Sequence, residues 1–444
     1  MPTASTVAQN VSFLLTRAGP SRASALLAQT GASQPTLSRA IALLGRSVVR
    51  SGRGSRTTYA LRRRIEGVGD EIALFDIQAN GEPISCGTLV ALAPEGFWFF
   101  ADEHQNEATF SRDLPWFMDD LRPSGYLGAL VPLRHPDLEA PKDVRLWNAD
   151  HCLRFLAKFG ADNLGSLVFG ERALKLALAR NALPRDSVPE QSKLESYAAI
   201  SRDVALHGEL GSTAGGEQPK FLATLTPSRT PVLVKFSPPR SSEVGRRWAD
   251  ILICEHVALD TLRDFGKPAA MSTLHEHDDR VLLEVERFDR LPTNGRRGVV
   301  SLAALDDAHC GCLGDWIEST QALHAASIIP LAAVEEARWR QRFGELTAND
   351  DMHRHNLSFF VENFAPVGLT PAYDTAPMLF RPRLGHASPL SATSFQPPIA
   401  LPADKALWNS VLEAAREYWR RVVAEPRLSA EFRHLAQECY GVLA

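Results

Sequence analysis

Asn349-Asp350-Asp351-Met352-His353-Arg354-His355-Asn356, followed eighteen residues after Asn356 by Asp374 in Ala372-Tyr373-Asp374, carries the chemistry from which the rest of the chain can be read. Phosphoryl transfer from a nucleotide needs a carboxylate that orients or deprotonates the attacking hydroxyl. It also needs hard oxygen ligands that hold Mg2+ against the phosphates. Asp351 suits the first role, and Asn356 with Asp374 suits the second. Leu357-Ser358-Phe359-Phe360-Val361 reads as a strand, and Gly368 is expected in the turn before a second extended segment. Such a hairpin would return Asp374 to the side of Asn356.

Upstream residues fit a nucleotide site in the same order along the chain. Gly211-Ser212-Thr213-Ala214-Gly215-Gly216-Glu217-Gln218-Pro219-Lys220 is a small-residue loop before the strand Phe221-Leu222-Ala223-Thr224-Leu225. Glycines such as Gly215 and Gly216 let a backbone approach phosphates, and successive amides there, with Gln218 and Lys220 beside them, can cradle an anion. The Gly-Lys-Ser/Thr of a Walker A loop is missing. After a turn at 226–231, Val232-Leu233-Val234-Lys235-Phe236 places a lysine among apolar residues, where a cation needs an anion. A nucleotide phosphate is one candidate, and Glu255 on the following helix is another. Val285-Glu286-Arg287-Phe288-Asp289-Arg290 reads as an extended segment bordering a base.

Gly-Gly-Glu-Gln-Pro-Lys-Phe, Val-Glu-Arg-Phe-Asp-Arg, Asn-x-Asp-x-His-x-x-Asn and Tyr-Asp together resemble the HipA family of serine/threonine kinase toxins, over roughly residues 70–444. Residues 115–123 and 155–162 resemble that family's N-terminal subdomain and the helix leading into its kinase part. A DNA-binding segment on the same chain resembles the HipH (YjjJ-like) branch. The resemblance implies an α+β, bilobal kinase fold using ATP and Mg2+. In it Asp351 is the catalytic base, and Asn356 and Asp374 are the metal ligands. Lys235 contacts phosphate with Glu255 as its partner, and His353 takes a structural or phosphate-contacting role. Glu286 and Phe288 would meet adenine through their backbone, and Asp289 would meet the ribose. It further implies autophosphorylation in the Gly loop, at Thr213 by gapless matching back from Lys220 or at its neighbour Ser212. The implied substrate is a protein, with an aminoacyl-tRNA synthetase as the family's kind of target.

Charge divides the 444 residues. Residues 1–65 hold ten arginines and no Lys, Asp or Glu, which leaves 38 basic against 52 acidic residues in the remainder. A basic module on an acidic body suggests a domain boundary and a polyanionic partner, DNA first. Val7, Val11 and Leu14 share a helical face. Ser21 is expected to cap a second helix with Leu26 and Leu27, and Gly31 to turn the chain. A third helix is expected from Ser33 to Gly45, with Pro35 in its first turn. Val48–Arg50 and 57–61 then read as a two-stranded ribbon. Such a winged helix-turn-helix would offer Gln34, Thr36, Ser38 and Arg39 to the major groove, and Arg50, Arg53 and Arg56 to phosphates. Arg62-Arg63-Arg64 reads as a solvated linker. The expected divisions are 1–65, a β-rich segment at 70–150, and a kinase core at 151–444 whose nucleotide-binding part ends near 290. A homodimer is expected because winged helices commonly bind paired half-sites.

Apolar content of 45% and charged content of 23% indicate a globular chain. Without an apolar run of roughly 18 residues or a signal-peptide core, a cytoplasmic location and no membrane partner are expected. Six scattered cysteines suit reduced thiols. Trp98-Phe99-Phe100 reads as sheet core before a base-stacking platform. His309-Cys310-Gly311-Cys312 and His275-Glu276-His277 lack the further ligands of a tetrahedral metal set. Two other classes share the motifs: a transcription regulator whose kinase fold senses nucleotide, and a Mg2+-dependent DNA nuclease, which plasmid nicking without ATP would reveal.

Overall fold

The computed structural model describes residues 2–182, 187–210, 218–383 and 389–443, and the chain divides into two compact units. The first comprises 1–122, 138–140 and 146–182; the second comprises 123–137, 141–145 and 183–444. Both mix helices with antiparallel strands, an α+β architecture. The division expected at residue 150 is not the observed one. The helices Ala149–Phe159 and Gly170–Ala182 belong with the first unit, where strand Leu167–Phe169 pairs with Glu71–Ile77 and completes its sheet.

The first unit opens with helices Ala4–Ala18, Ala23–Thr30 and Gln34–Leu44 around Val7, Val11, Leu15, Leu26 and Leu37. Thr3 caps the first helix, Gly31 leaves the second in a left-handed conformation, and Pro35 sits in the first turn of the third. The expected ribbon has three strands: Val48–Ser51 and Ser21–Arg22 flank Thr58–Leu61. Ser21 therefore lies in a strand, and Arg22 holds the N-cap position of the second helix without a side-chain bond. A two-residue edge strand carries no periodicity, so its sequence could not announce it.

Next comes a five-stranded antiparallel sheet in the order Thr109–Ser111, Phe97–Ala101, Pro83–Ala91, Glu71–Ile77, Leu167–Phe169. Phe97, Trp98 and Phe99 are buried in it, as core. Gly87 is required there, because a Cβ would lie 2.5 Å from the Phe100 carbonyl oxygen. Arg64 is exposed, but Arg62 and Arg63 are not solvated linker residues. Arg62 pairs with Glu71 at 2.6 Å, Arg63 pairs with Asp150, and the Arg63 N–H donates to the Ala91 carbonyl. Val49 and Ala60 of the basic module pack in one cluster with Val90, Leu92 and Trp98 of the sheet.

In the second unit a five-stranded sheet runs Ser272–His277, Arg280–Glu286, Pro231–Phe236, Lys220–Thr226, Ser187–Pro189. The long helix Glu243–Asp264, capped by Ser242, packs against it through residues such as Ile251, Leu252 and Leu259. Helices Leu331–Leu346, Trp408–Ala424 and Ala430–Leu443 extend the same core. A three-stranded sheet, Gly298–Ser301, Ser358–Glu362 and Ala365–Leu369, carries the expected hairpin. Its turn is at Asn363 and Phe364, both left-handed, and Gly368 lies within the second strand, opposite Phe360.

Candidate active site

Lys235 sits in the strand Pro231–Phe236 and is 5% exposed, and Glu255, on the packed helix, is 2% exposed. A buried ammonium persists only when carboxylates surround it. The Lys235 ammonium donates to both Glu255 oxygens, at 2.6 and 2.8 Å, and to Asp374. Burial opposes the Lys235 charge, but Asp374 and Glu255 outweigh it and raise its pKa. Burial likewise opposes ionisation of Asp374, yet Lys235 and then Lys220 hold its carboxyl well below the usual range.

The catalytic-loop candidates are organised by two asparagines. Buried Asn349 accepts the Asp351 N–H at its Oδ1 (3.1 Å), and the Asn356 Nδ2 donates to the Asp351 carbonyl (2.9 Å). The second bond commits the amide nitrogen of Asn356 and leaves its Oδ1 for another partner. Asp350 and Asp351 diverge completely. Asp350 is paired with Arg381 and with Arg383 at 3.1 Å, whereas no described residue bonds the Asp351 carboxylate. His353 and His355 are exposed, with ring centroids 5.9 Å apart, and His353 is close enough to favour the charge on Asp374.

Tyr373 joins this loop to Asp374. Its hydroxyl donates to the His355 carbonyl (2.8 Å) and shares a 2.6 Å hydrogen bond with Ser358. Asp374 itself is left-handed, with φ 49°. Roles for Tyr373 and Asn349 were not assigned from the sequence. Asn349 could have been found, since an Asn two residues before an amide is the Asx-turn spacing. The Tyr373 contacts depend on hairpin return and had no local signal.

Lys220 lies directly opposite Lys235 in the antiparallel register and has no ion-pair partner among the described residues. Gln218 next to it has a buried Nε2 with no hydrogen-bond partner among them. Ser212, Thr213, Gly215 and Gly216 lie outside the described residues. Glu286 ends the strand Arg280–Glu286, where its N–H donates to the Met271 carbonyl (2.9 Å). The Phe288 ring packs on Phe360 and Tyr373, at 6.0 and 5.7 Å between centroids. Asp289 is the residue expected at the ribose. It is 2% exposed and clamped by Arg287 (2.9 and 3.0 Å) and Arg290 (2.8 Å), so its carboxylate ties this segment together.

The donor set suits a hard divalent cation beside polyphosphate. Asn356 Oδ1 and the Asp374 carboxylate are oxygen ligands of the type Mg2+ takes. The Lys220 ammonium, without an ion-pair partner among the described residues, and the Gln218 amide, without a hydrogen-bond partner among them, are the complement of an anion.

In the basic module, Gln34, Ser38, Arg39, Arg50, Arg53 and Arg56 are exposed. Thr36 is a correction: it is 8% exposed and its hydroxyl is bonded to Ser33 Oγ at 2.9 Å, so it faces inward. Arg56 has only a 3.6 Å exposed contact with Glu107, which solvent screens.

The chain matches the YjjJ-like toxin middle domain over residues 68–178 and the HipA-like C-terminal domain over 212–436. It is 35% identical over 425 residues to Toxin YjjJ of Escherichia coli (strain K12), covering 95% of this chain and 94% of that protein. Its fold is similar to a chain of the Shewanella oneidensis MR-1 toxin–antitoxin complex of HipA, HipB and operator DNA. The TM-score is 0.53 at 16% identity, over 83% of this chain and 95% of that one. By sequence and by domain content, the chain belongs to the YjjJ-like toxins, with the HipA-like C-terminal domain.

Proposed function

We propose that this protein is a Mg-ATP-dependent serine/threonine protein kinase of the HipA toxin type. The observation that carries the reading is the contrast between two adjacent carboxylates, Asp350 locked to arginines and Asp351 with no bonding partner for its carboxylate among the described residues, in a unit that also holds the buried Lys235–Glu255 pair and its partner Asp374. Mg-ATP, when bound, supplies the phosphoryl group and offsets the negative charge of the phosphates. Asn356 Oδ1 and Asp374 would hold the metal. Lys235 would keep Glu255 as its partner and give phosphate the donor now on Asp374, with Lys220 and Gln218 alongside. Asp351 orients the substrate hydroxyl and takes its proton. His353 lies close enough to Asp374 to influence its charge, and the backbone at Glu286 and Phe288 would border the adenine.

The basic module is proposed to bind duplex DNA through Gln34, Ser38, Arg39, Arg50, Arg53 and Arg56, as a winged helix-turn-helix. The similar HipA complex contains operator DNA, and the absence of acidic residues from 1–65 favours the same class of partner here. Incubation with Mg-ATP followed by mass spectrometry of residues 211–221 tests the kinase reading. Phosphate on Ser212 or Thr213 is expected in the wild type and in Asp350→Asn. Asp351→Asn should lose roughly 100- to 10,000-fold in rate. Equal phosphorylation in Asp351→Asn would remove Asp351 from its role. Failure to bind ATP would favour the nuclease class, and ATP binding without phosphoryl transfer would favour the nucleotide-sensing regulator.

A further inference from the structure

Cys310 and Cys312 stand apart from the other cysteines. Both are exposed, whereas Cys152, Cys254 and Cys439 are buried and Cys86 is half-buried. The Cys310-Gly311-Cys312 turn follows helix Leu302–His309, with Gly311 left-handed at φ 62°. Its backbone is wound around one residue, Asp306, which is 0% exposed. The Asp306 carbonyl accepts the N–H groups of Cys310 (2.8 Å) and Gly311 (2.6 Å). The Asp306 carboxylate accepts those of Cys312 (3.1 Å) and Leu313 (2.9 Å).

The same carboxylate holds the loop that carries Asp351 and Asn356. Arg354, between those two residues, donates to Asp306 Oδ2 at 2.7 Å. On the far side of the turn, Trp316 begins helix Trp316–Ala325 and donates its indole N–H to the His353 carbonyl at 3.0 Å. The cysteine turn is thus fastened to the candidate catalytic loop at both of its ends.

We infer that Cys310 and Cys312 form a dithiol–disulfide switch whose oxidation loosens the loop bearing Asp351 and Asn356. Only the consequence for activity rests on the kinase reading. The Cα atoms of residues i and i+2 are at most about 7 Å apart, and a left-handed central glycine brings them closer. A disulfide spans roughly 4.4–6.8 Å between Cα atoms, so ring closure is within reach once the turn deforms. Drawing the two sulfurs together pulls the Cys312 N–H from Asp306, which weakens the carboxylate's hold on the turn and on Arg354. Among the described residues no group of three His, Cys, Asp or Glu is placed to hold a metal, which favours redox chemistry over a metal site.

A low-molecular-weight disulfide such as glutathione disulfide is the oxidant. One cysteine thiolate attacks it and releases one glutathione thiol, and the second cysteine then displaces the other. The dithiol's two protons and two electrons end on the two glutathione thiols. Burial, Asp306 and Cys312 push the Cys310 thiol up, so the exchange is run at about pH 8.5, where the attacking thiolate is more populated.

The reduced full-length protein is treated with glutathione disulfide, then followed by peptide mass and by amide hydrogen exchange of residues 349–357. The expected result is loss of two hydrogens from the peptide containing both cysteines, with no glutathione retained. Amide exchange in 349–357 should rise several-fold and be reversed by dithiothreitol. Cys312→Ser should retain a glutathione adduct and show no such rise. A stable adduct without ring closure in the wild type, or a disulfide that leaves exchange unchanged, overturns the inference. So does a bound soft metal removable by chelator. Phosphoryl transfer measured on the same samples separates the two readings. A reduced protein that transfers no phosphate overturns the kinase reading, while the exchange result still decides the switch.

Discussion

At the scale of single residues, what distinguishes Asp350 from Asp351 is their partners. Two arginines consume one carboxylate and none approaches the other among the described residues, although the sequence presents them as neighbours of identical chemistry. Lys235 shows the opposite economy, with two carboxylates around one ammonium; removing either partner of its buried pair with Glu255 typically costs about 3–5 kcal/mol. A second buried carboxylate, Glu284, lies on the next strand over. It accepts from Tyr197 at 2.7 Å and from Lys193 at 3.1 and 3.2 Å, with His275 at 3.5 Å. Burial opposes its charge, but His275, Tyr197 and Lys193 outweigh burial and bring its pKa from 4.5 down to about 2. A depressed folded-state value means the stabilisation is complete above the unfolded value and is lost as pH falls through the folded one. Between pH 5 and pH 3 the wild type should therefore lose about 2 kcal/mol more than Glu284→Gln in urea unfolding. Equal acid sensitivity of the two proteins would show that Glu284 does not carry this term.

At the scale of elements, the helix Gln34–Leu44 and the strands after it set out an exposed row of polar and basic side chains. DNA affinity should fall steeply with salt, with a log–log slope of about −0.9 per phosphate neutralised. Arg50→Ala and Arg53→Ala should each flatten that slope by up to about 0.9, while Thr36→Val, inward-facing, should leave it unchanged. A flat salt response in the wild type would remove the DNA assignment. The hairpin Ser358–Glu362 to Ala365–Leu369 acts at the same scale, returning the chain so that Tyr373 fastens to His355 and Ser358.

At the scale of the whole molecule, the basic module is joined to the neighbouring sheet by backbone bonds, arginine pairs and a shared apolar cluster. Deleting residues 1–65 would expose Val90, Leu92 and Trp98. The truncated chain should melt at a lower temperature and bind more hydrophobic dye than the full chain. Nucleotide affinity, read by calorimetry, should nevertheless hold, because every candidate ATP and metal residue belongs to the second unit. Lost affinity in a folded truncation would contradict that division.

The sequence alone determined the reaction chemistry proposed and the order of its parts. Lys235, Asp351, Asn356 and Asp374 are residue types with few other reasons to recur in that order, and the strands around them show their own local patterns. Charge revealed the basic module, since ten arginines without an acid need no fold to be noticed. Only the tertiary structure decided which of two adjacent aspartates is open and that Asp289 is clamped. It also decided that Thr36 faces inward and that Arg62 and Arg63 fasten a joint rather than solvate a linker. The physical reason is common to all of these. Residue type and periodicity act over a few positions, whereas an ion pair or a buried face is settled by partners such as Arg381, Asp150 or Tyr373, which meet their neighbours only when distant segments are folded together.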